Sequence, residues 1–194
     1  MSSAANKRSR ETDEKNQVSK RVKEHDPLEK IGQQAAASET FRRAPLFDGV
    51  SVWHDEIVKI STKDFLQVCN TVLLFYDYDF TPTAVRDIRA LNACLDDIST
   101  LNARALAISV DTEHCHYAFL QREFPAATAK FPLVADTTKR ITRDFQVLDE
   151  ETGVARRSLI VIDKRGEIRY WSVLQHHEIE HNFGSVISLG FQTS

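Results

Sequence analysis

The amino-acid sequence predicts a mixed α/β domain, a central sheet with helices on both faces. Three observations carry this prediction. Thr71-Val-Leu-Leu-Phe-Tyr76, Ala105-Leu-Ala-Ile-Ser-Val110 and Ser158-Leu-Ile-Val-Ile-Asp163 are short continuous apolar runs, the pattern of strands buried on both faces. Segments of helical period separate these runs. The third run leads through Asp163-Lys-Arg-Gly166, which has turn chemistry, into a strand over residues 167–173, so the last two strands form a hairpin.

Along the chain, residues 1–40 come first and differ from the rest. They are rich in Lys, Arg, Glu, Ser and Gln, with scattered Val18, Val22, Leu28 and Ile31. Such a composition buries too little apolar area to offset backbone ordering, so a mobile tail is expected, with residues 24–37 helical only transiently. Residues 41–194 carry the packed domain. Its first helix is expected over residues 84–101, where Ile88, Leu91, Leu95 and Ile98 recur on one face. A second follows Asp111 and Thr112, both good N-caps, and includes Tyr117, Phe119 and Leu120. Two more are expected near residues 138–145 and 182–191. Strand, helix, strand, helix, hairpin, helix is the order of a three-layer α/β sandwich.

Composition narrows the function classes. The chain has 194 residues, 42% of them apolar, which suits one domain plus a tail. No run approaches the roughly 18 apolar residues of a membrane helix, and MSSAANKRSR does not open a secretory signal. A net charge of −3 gives no global pull towards nucleic acid or anionic lipid. Cys69, Cys94 and Cys115 are odd in number and widely spaced, unlike a disulfide scaffold or zinc ribbon. Reduced thiols in a nuclear or cytoplasmic compartment fit better. In the tail, Lys7-Arg8 and Lys20-Arg21-Val22-Lys23 resemble a bipartite nuclear-import signal, with an import receptor as partner; the plainer alternative is a solvated, charge-mixed tail.

Local strings sharpen the fold. Ala44-Pro45-Leu46-Phe47 is similar to A-P-x-F, Phe75-Tyr-Asp-Tyr-Asp-Phe-Thr81 to F-Y-P-x-D-F-T, and Ser109-Val-Asp111 with His116 to S-V-D-S…H. Phe131-Pro-Leu-Val-Ala-Asp136 is similar to P-L-L-A-D and Phe145-Gln-Val-Leu148 to Y-G-V-L. Gly153-Val-Ala-Arg-Arg157 leading into Ile162-Asp163 completes the series. Six strings in order, over about residues 44–192, resemble the peroxiredoxin family. The resemblance implies a thioredoxin-like three-layer sandwich, thiol-based hydroperoxide reduction in antioxidant defence and cell redox homeostasis, and no cofactor or metal. It also implies a homodimer or higher homo-oligomer, a contact that does not depend on the thiol.

The same resemblance places the site. The peroxidatic cysteine of the family lies in the first turn of a helix, in P-x-x-x-T-x-x-C, where the dipole and an arginine favour the thiolate. Without gaps, that cysteine falls on Ala84, the threonine on Thr81, the proline on Asp77 and the following glutamate on Asp87. The distant arginine falls on Arg157 and a second one near His181. The string Phe191-Gln-Thr-Ser194 is followed by no resolving cysteine. Alanine has no lone pair and no ionisable proton, so the usual first step cannot occur as written. Two readings follow. In one, Asp77 and the missing second arginine mark a natural loss and a non-catalytic pseudo-peroxiredoxin with a binding role. In the other, retained Thr81, Asp87 and Arg157 mark a thiol peroxidase whose cysteine has been replaced by Ala84, with peroxide a substrate only if position 84 is cysteine in the native gene.

Other candidates are weaker. Cys94 lies beyond the first helical turn, and Cys115, between His114 and His116, is expected to have a lowered pKa if it is more than a packing residue. His177-Glu178-Ile179-Glu180-His181 matches H-E-x-x-H, but only thirteen residues remain in which to find a third zinc ligand. Trp53 and Trp171 are expected in the core or at a subunit contact.

Overall fold

The structure is a computed structural model that describes residues 43–66, 68–125, 129–174 and 180–191. The expected tail and its two basic clusters lie outside the described residues.

Seven strands form the main sheet: β1 (Asp48–Trp53), β2 (Glu56–Ser61), β3 (Asn70–Phe75), β4 (Ala103–Ser109), β5 (Leu133–Ala135), β8 (Ser158–Ile162) and β9 (Ile168–Val173). Their order is β2-β1-β5-β4-β3-β8-β9. β6 (Leu148–Asp149) and β7 (Val154–Ala155) make a separate small hairpin. β3–β4 and β4–β5 run parallel; the other pairs are antiparallel, so the sheet is mixed as expected. β3 lies inside the sheet, between β4 and β8, and is apolar on both sides. Val72 and Leu74 face one core with Ala105, Ala107, Leu159 and Val161, while Leu73 and Phe75 face a second with Leu106, Ile108, Ile160 and Ile162.

Helices close both cores. α1 (Pro82–Ala93), α2 (Leu95–Thr100), α3 (Glu113–Glu123) and α5 (Phe183–Phe191) cover the first, through Ile88, Leu91, Ile98, Phe119, Phe183 and Val186. α4 (Arg140–Asp144) covers the second through Ile141. Among the described residues no helix is long and apolar enough to cross a membrane.

The expected hairpin forms between β8 and β9. Gly166 takes φ +77°, and the Asp163 carboxylate accepts from the N–H groups of Arg165 (2.8 Å) and Glu167 (3.0 Å) and from Arg169 Nε (2.8 Å). The single helix expected over 84–101 is instead two. Cys94 sits at φ −96°, ψ 3°, outside helical geometry, and Asp96 and Asp97 begin a new first turn, where carboxylates favour a helix start. The helix also begins two residues earlier than expected, because Pro82 fits the first helical position and Thr81 caps it. The β1–β2 hairpin had no clear pattern in sequence: β2 is largely exposed, and the turn places His54 and Asp55, neither a glycine, at φ 51° and 61°.

Candidate functional site

The chain leaves the end of β3, runs through Tyr76–Phe80 and enters α1. Phe80 adopts φ 62°, a left-handed geometry that turns the backbone into the helix. Thr81 is extended, and its hydroxyl oxygen accepts from the Ala84 N–H at 3.0 Å, an N-cap bond. Asp77 braces this start. Its Oδ1 accepts from the Thr81 hydroxyl (3.0 Å) and its Oδ2 from the Thr83 hydroxyl (3.0 Å). The Thr81 hydroxyl also lies 3.0 Å from the Tyr78 carbonyl, so its one hydrogen is shared between two internal acceptors.

Ala84 is fully buried and packs into the first core. Asp87 follows three residues on, on the same face of α1, and is also buried. Arg157 reaches it from the residue just before β8, the strand beside β3. β8 runs antiparallel to β3 with Ser158 opposite Phe75, so the residue before β8 arrives at the end of β3 where α1 starts. Its guanidinium grips Asp87 with two bonds, Nε to Oδ2 and Nη2 to Oδ1, both 2.8 Å. Burial raises the Asp87 carboxyl from its ordinary value, and Arg157 and then Arg86 oppose that rise. His181 completes the cluster, with Nε2 4.0 Å from Asp87 Oδ2. Burial, then the charges of Arg157 and Arg86, lower its pKa to about 4, so the imidazole is neutral at physiological pH.

The four residues picked from sequence, Thr81, Ala84, Asp87 and Arg157, therefore meet at one helix start. The cluster offers a methyl group at its centre. The Thr81 hydroxyl and the Nε and Nη2 groups of Arg157 already serve acceptors of the protein itself.

A second buried polar network lies beside the first, built from residues of the quoted strings that were not among the candidate site residues. Tyr76 OH donates to Asp79 Oδ1 (2.8 Å), and His116 Nδ1 lies 2.8 Å from Asp79 Oδ2. Asp111 Oδ2 accepts from the Asp79 N–H (2.9 Å) and from the Ser109 hydroxyl (2.8 Å). Burial and then Asp79 push the Tyr76 phenol well above its usual value. Asp79, Asp111 and Cys115 bring ligand atoms within 4.8 Å of one another, the one such grouping among the described residues, but both carboxylates already accept hydrogen bonds from the protein.

The thiols correct one expectation. The Cys115 pKa is raised to about 12, by burial first and then by Asp79 and Asp111; carboxylates rather than the flanking histidines set its field. Burial also raises Cys94, with Asp97 adding to it, and Cys69, with Arg104 opposing. None of the three thiols has the depressed pKa of a reactive nucleophile. His177 and Glu178 of the H-E-x-x-H string lie outside the described residues, while His181 turns inwards to Asp87. Trp171 packs half-buried on the second core, and Trp53 stays 39% exposed.

Comparisons with known proteins agree on one family. The profile of the AhpC/TSA family matches residues 41–171. A chloroplastic 2-cysteine peroxiredoxin of Chattonella marina is 34% identical over 135 residues, 68% of this chain and 69% of its own length. A chloroplastic 2-Cys peroxiredoxin of Spinacia oleracea is 31% identical over 134 residues, 68% of this chain and 51% of its own, so the chain spans about half the length of that relative. Among solved structures, the reduced 2-Cys peroxiredoxin of Plasmodium vivax superposes with a TM-score of 0.71 at 26% identity, covering 77% of this chain and 93% of the other.

Proposed function

The chain belongs to the AhpC/TSA family of peroxiredoxins, and from that premise we propose that it is a non-catalytic member that acts by binding rather than by reducing peroxide. The observation that carries this reading is Ala84 in the first turn of α1, three residues after the capping Thr81. A peroxidatic cysteine there attacks one peroxide oxygen as a thiolate. The O–O bond breaks, the other oxygen leaves as water or alcohol after protonation, and the sulfur becomes a sulfenic acid. A methyl group supplies no electron pair for that step. Asp77 adds a second argument, because its carboxylate occupies the Thr81 hydroxyl that would otherwise align the peroxide.

One observation favours the alternative, a thiol-dependent peroxidase of cell redox homeostasis whose cysteine has been replaced. The Arg157–Asp87 pair keeps a tight two-bond geometry one turn from Ala84. The test is hydrogen peroxide consumption with a dithiol reductant, comparing the chain with Ala84→Cys. The non-catalytic reading expects no turnover from the chain and little from the variant. Vigorous turnover by Ala84→Cys supports the alternative.

The same proposal includes a homodimer or higher homo-oligomer, supported by Tyr78 and Phe80, exposed just before α1, and by Tyr117, exposed on α3. It also includes a nuclear or cytoplasmic location, with nuclear entry through an import receptor reading Lys7, Arg8, Lys20, Arg21 and Lys23. Fusing residues 1–40 to a fluorescent protein tests that location, and a purely cytoplasmic signal overturns the import role.

A further inference from the structure

A cavity lies at the far end of the β3–β4 pair from Ala84, and it arises from the shortness of β5. β5 pairs with residues 107–109 of β4 and leaves the first part of β4 without a strand on that side. Ala107 donates its N–H to the Pro132 carbonyl (3.0 Å). Alternate residues of a strand point their backbone groups the same way, so Ala103 and Ala105 turn theirs to this side too, where no described strand lies.

The gap opens into a cavity of about 480 Å³, within the roughly 300–1,000 Å³ of small-molecule sites. Its walls are mostly apolar: Trp53 and Ile60 of the β1–β2 hairpin, Phe65, Leu95 and Ile98 of α2, and Phe131. Three exposed cations, Lys59, Arg104 and Lys130, line it as well, and none of them has an ion pair with a described residue. Asp64, the last residue of a 3-10 turn over Thr62–Asp64, and Asp96, in the first turn of α2, also line the cavity, so its cations exceed its carboxylates by one. Apolar walls with a small excess of positive charge suit a molecule that is greasy along its length and anionic at one end.

We propose that this cavity binds an amphipathic small-molecule anion, an aliphatic carboxylate whose chain lies against Ile98 and Phe131 and whose head group meets Lys59, Arg104 and Lys130. The site uses no residue of the Ala84 cluster and stands whether or not the chain reduces peroxide. Titrating the full chain with decanoate and, separately, with the neutral decanol tests it, read by calorimetry and by Trp53 fluorescence. Decanoate is expected to bind saturably, one per chain, and more tightly than decanol. Arg104→Glu and Lys130→Glu are each expected to weaken decanoate roughly two- to fivefold, the scale of an exposed ion pair, and to leave decanol unchanged. Ala103→Phe, which fills the mouth from a half-buried position, is expected to abolish both. The proposal is overturned if decanoate does not saturate, if it binds no better than decanol, or if the charge reversals change nothing in variants whose circular dichroism matches that of the parent.

Discussion

Asp77 brings a negative charge to the two hydroxyls that open α1, and this has a measurable chemical effect. A nearby carboxylate disfavours a thiolate. In an Ala84→Cys background, Asp77→Asn should therefore lower the thiol pKa and speed alkylation by iodoacetamide at neutral pH; equal rates in the two proteins would remove Asp77 from the account. His181 is a second residue with a definite sign. Its pKa falls from 6.5 in the unfolded chain to about 4 in the fold. The stability this gives is present above pH 6.5 and is lost as pH falls towards 4, because only the unfolded chain takes up the proton. Between pH 6.5 and about 5 the loss is roughly 1.5 kcal/mol, at ~1.4 kcal/mol per pKa unit. Urea denaturation of His181→Gln should show a flatter pH dependence over that window. Position 84 and its partners were legible in the sequence only through the family strings. Arg157 and Asp87 are 70 residues apart, and no local pattern links them. The field at Cys115 was misread because the sequence displays its histidine neighbours, whereas Asp79 and Asp111 reach it only through the fold.

Among the elements, α1 carries the site and depends on its first turn. Thr81→Ala removes the cap on the Ala84 N–H and one donor to Asp77, and should cost about 1–2 kcal/mol in chemical denaturation. Thr81→Ser keeps the oxygen and should cost much less. The start of this helix was readable, since Thr81-Pro82 is a cap followed by the residue best suited to the first position. The break at Cys94 was not. The apolar period runs through Leu91, Leu95 and Ile98 without interruption, yet Leu95 is only half-buried and the backbone turns before it. Strand prediction succeeded where strands are buried on both faces, as in β3, β4 and β8. It failed for β2, whose solvated side blurs the alternation, and for β5, whose three residues are too few to show a period.

At the scale of the whole molecule, the site sits at the C-terminal end of the parallel pair, with exposed tyrosines just before α1 and on α3. Tyr78 and Tyr117 are 44% and 40% exposed. If copies of the chain associate through these tyrosines, replacing both with serine should reduce the light-scattering mass to that of a monomer with circular dichroism unchanged. An unchanged mass would place the contact elsewhere. The layer order was legible from the sequence because the alternation of strand and helix leaves few arrangements. The cavity beside β4 was not, because it comes from where a neighbouring strand begins, which no residue type marks. The shortness of β5 also divides the sheet in time. Leu73 and Leu74 lie on a strand bonded on both sides and are fully shielded from solvent, so in heavy water their amides should keep their protons until the whole domain opens. The amides of Ala103 and Ala105, on the same sheet but facing the gap, should take up deuterium through small local fluctuations. The front between slow and fast exchange would then fall across β4 near Ala107.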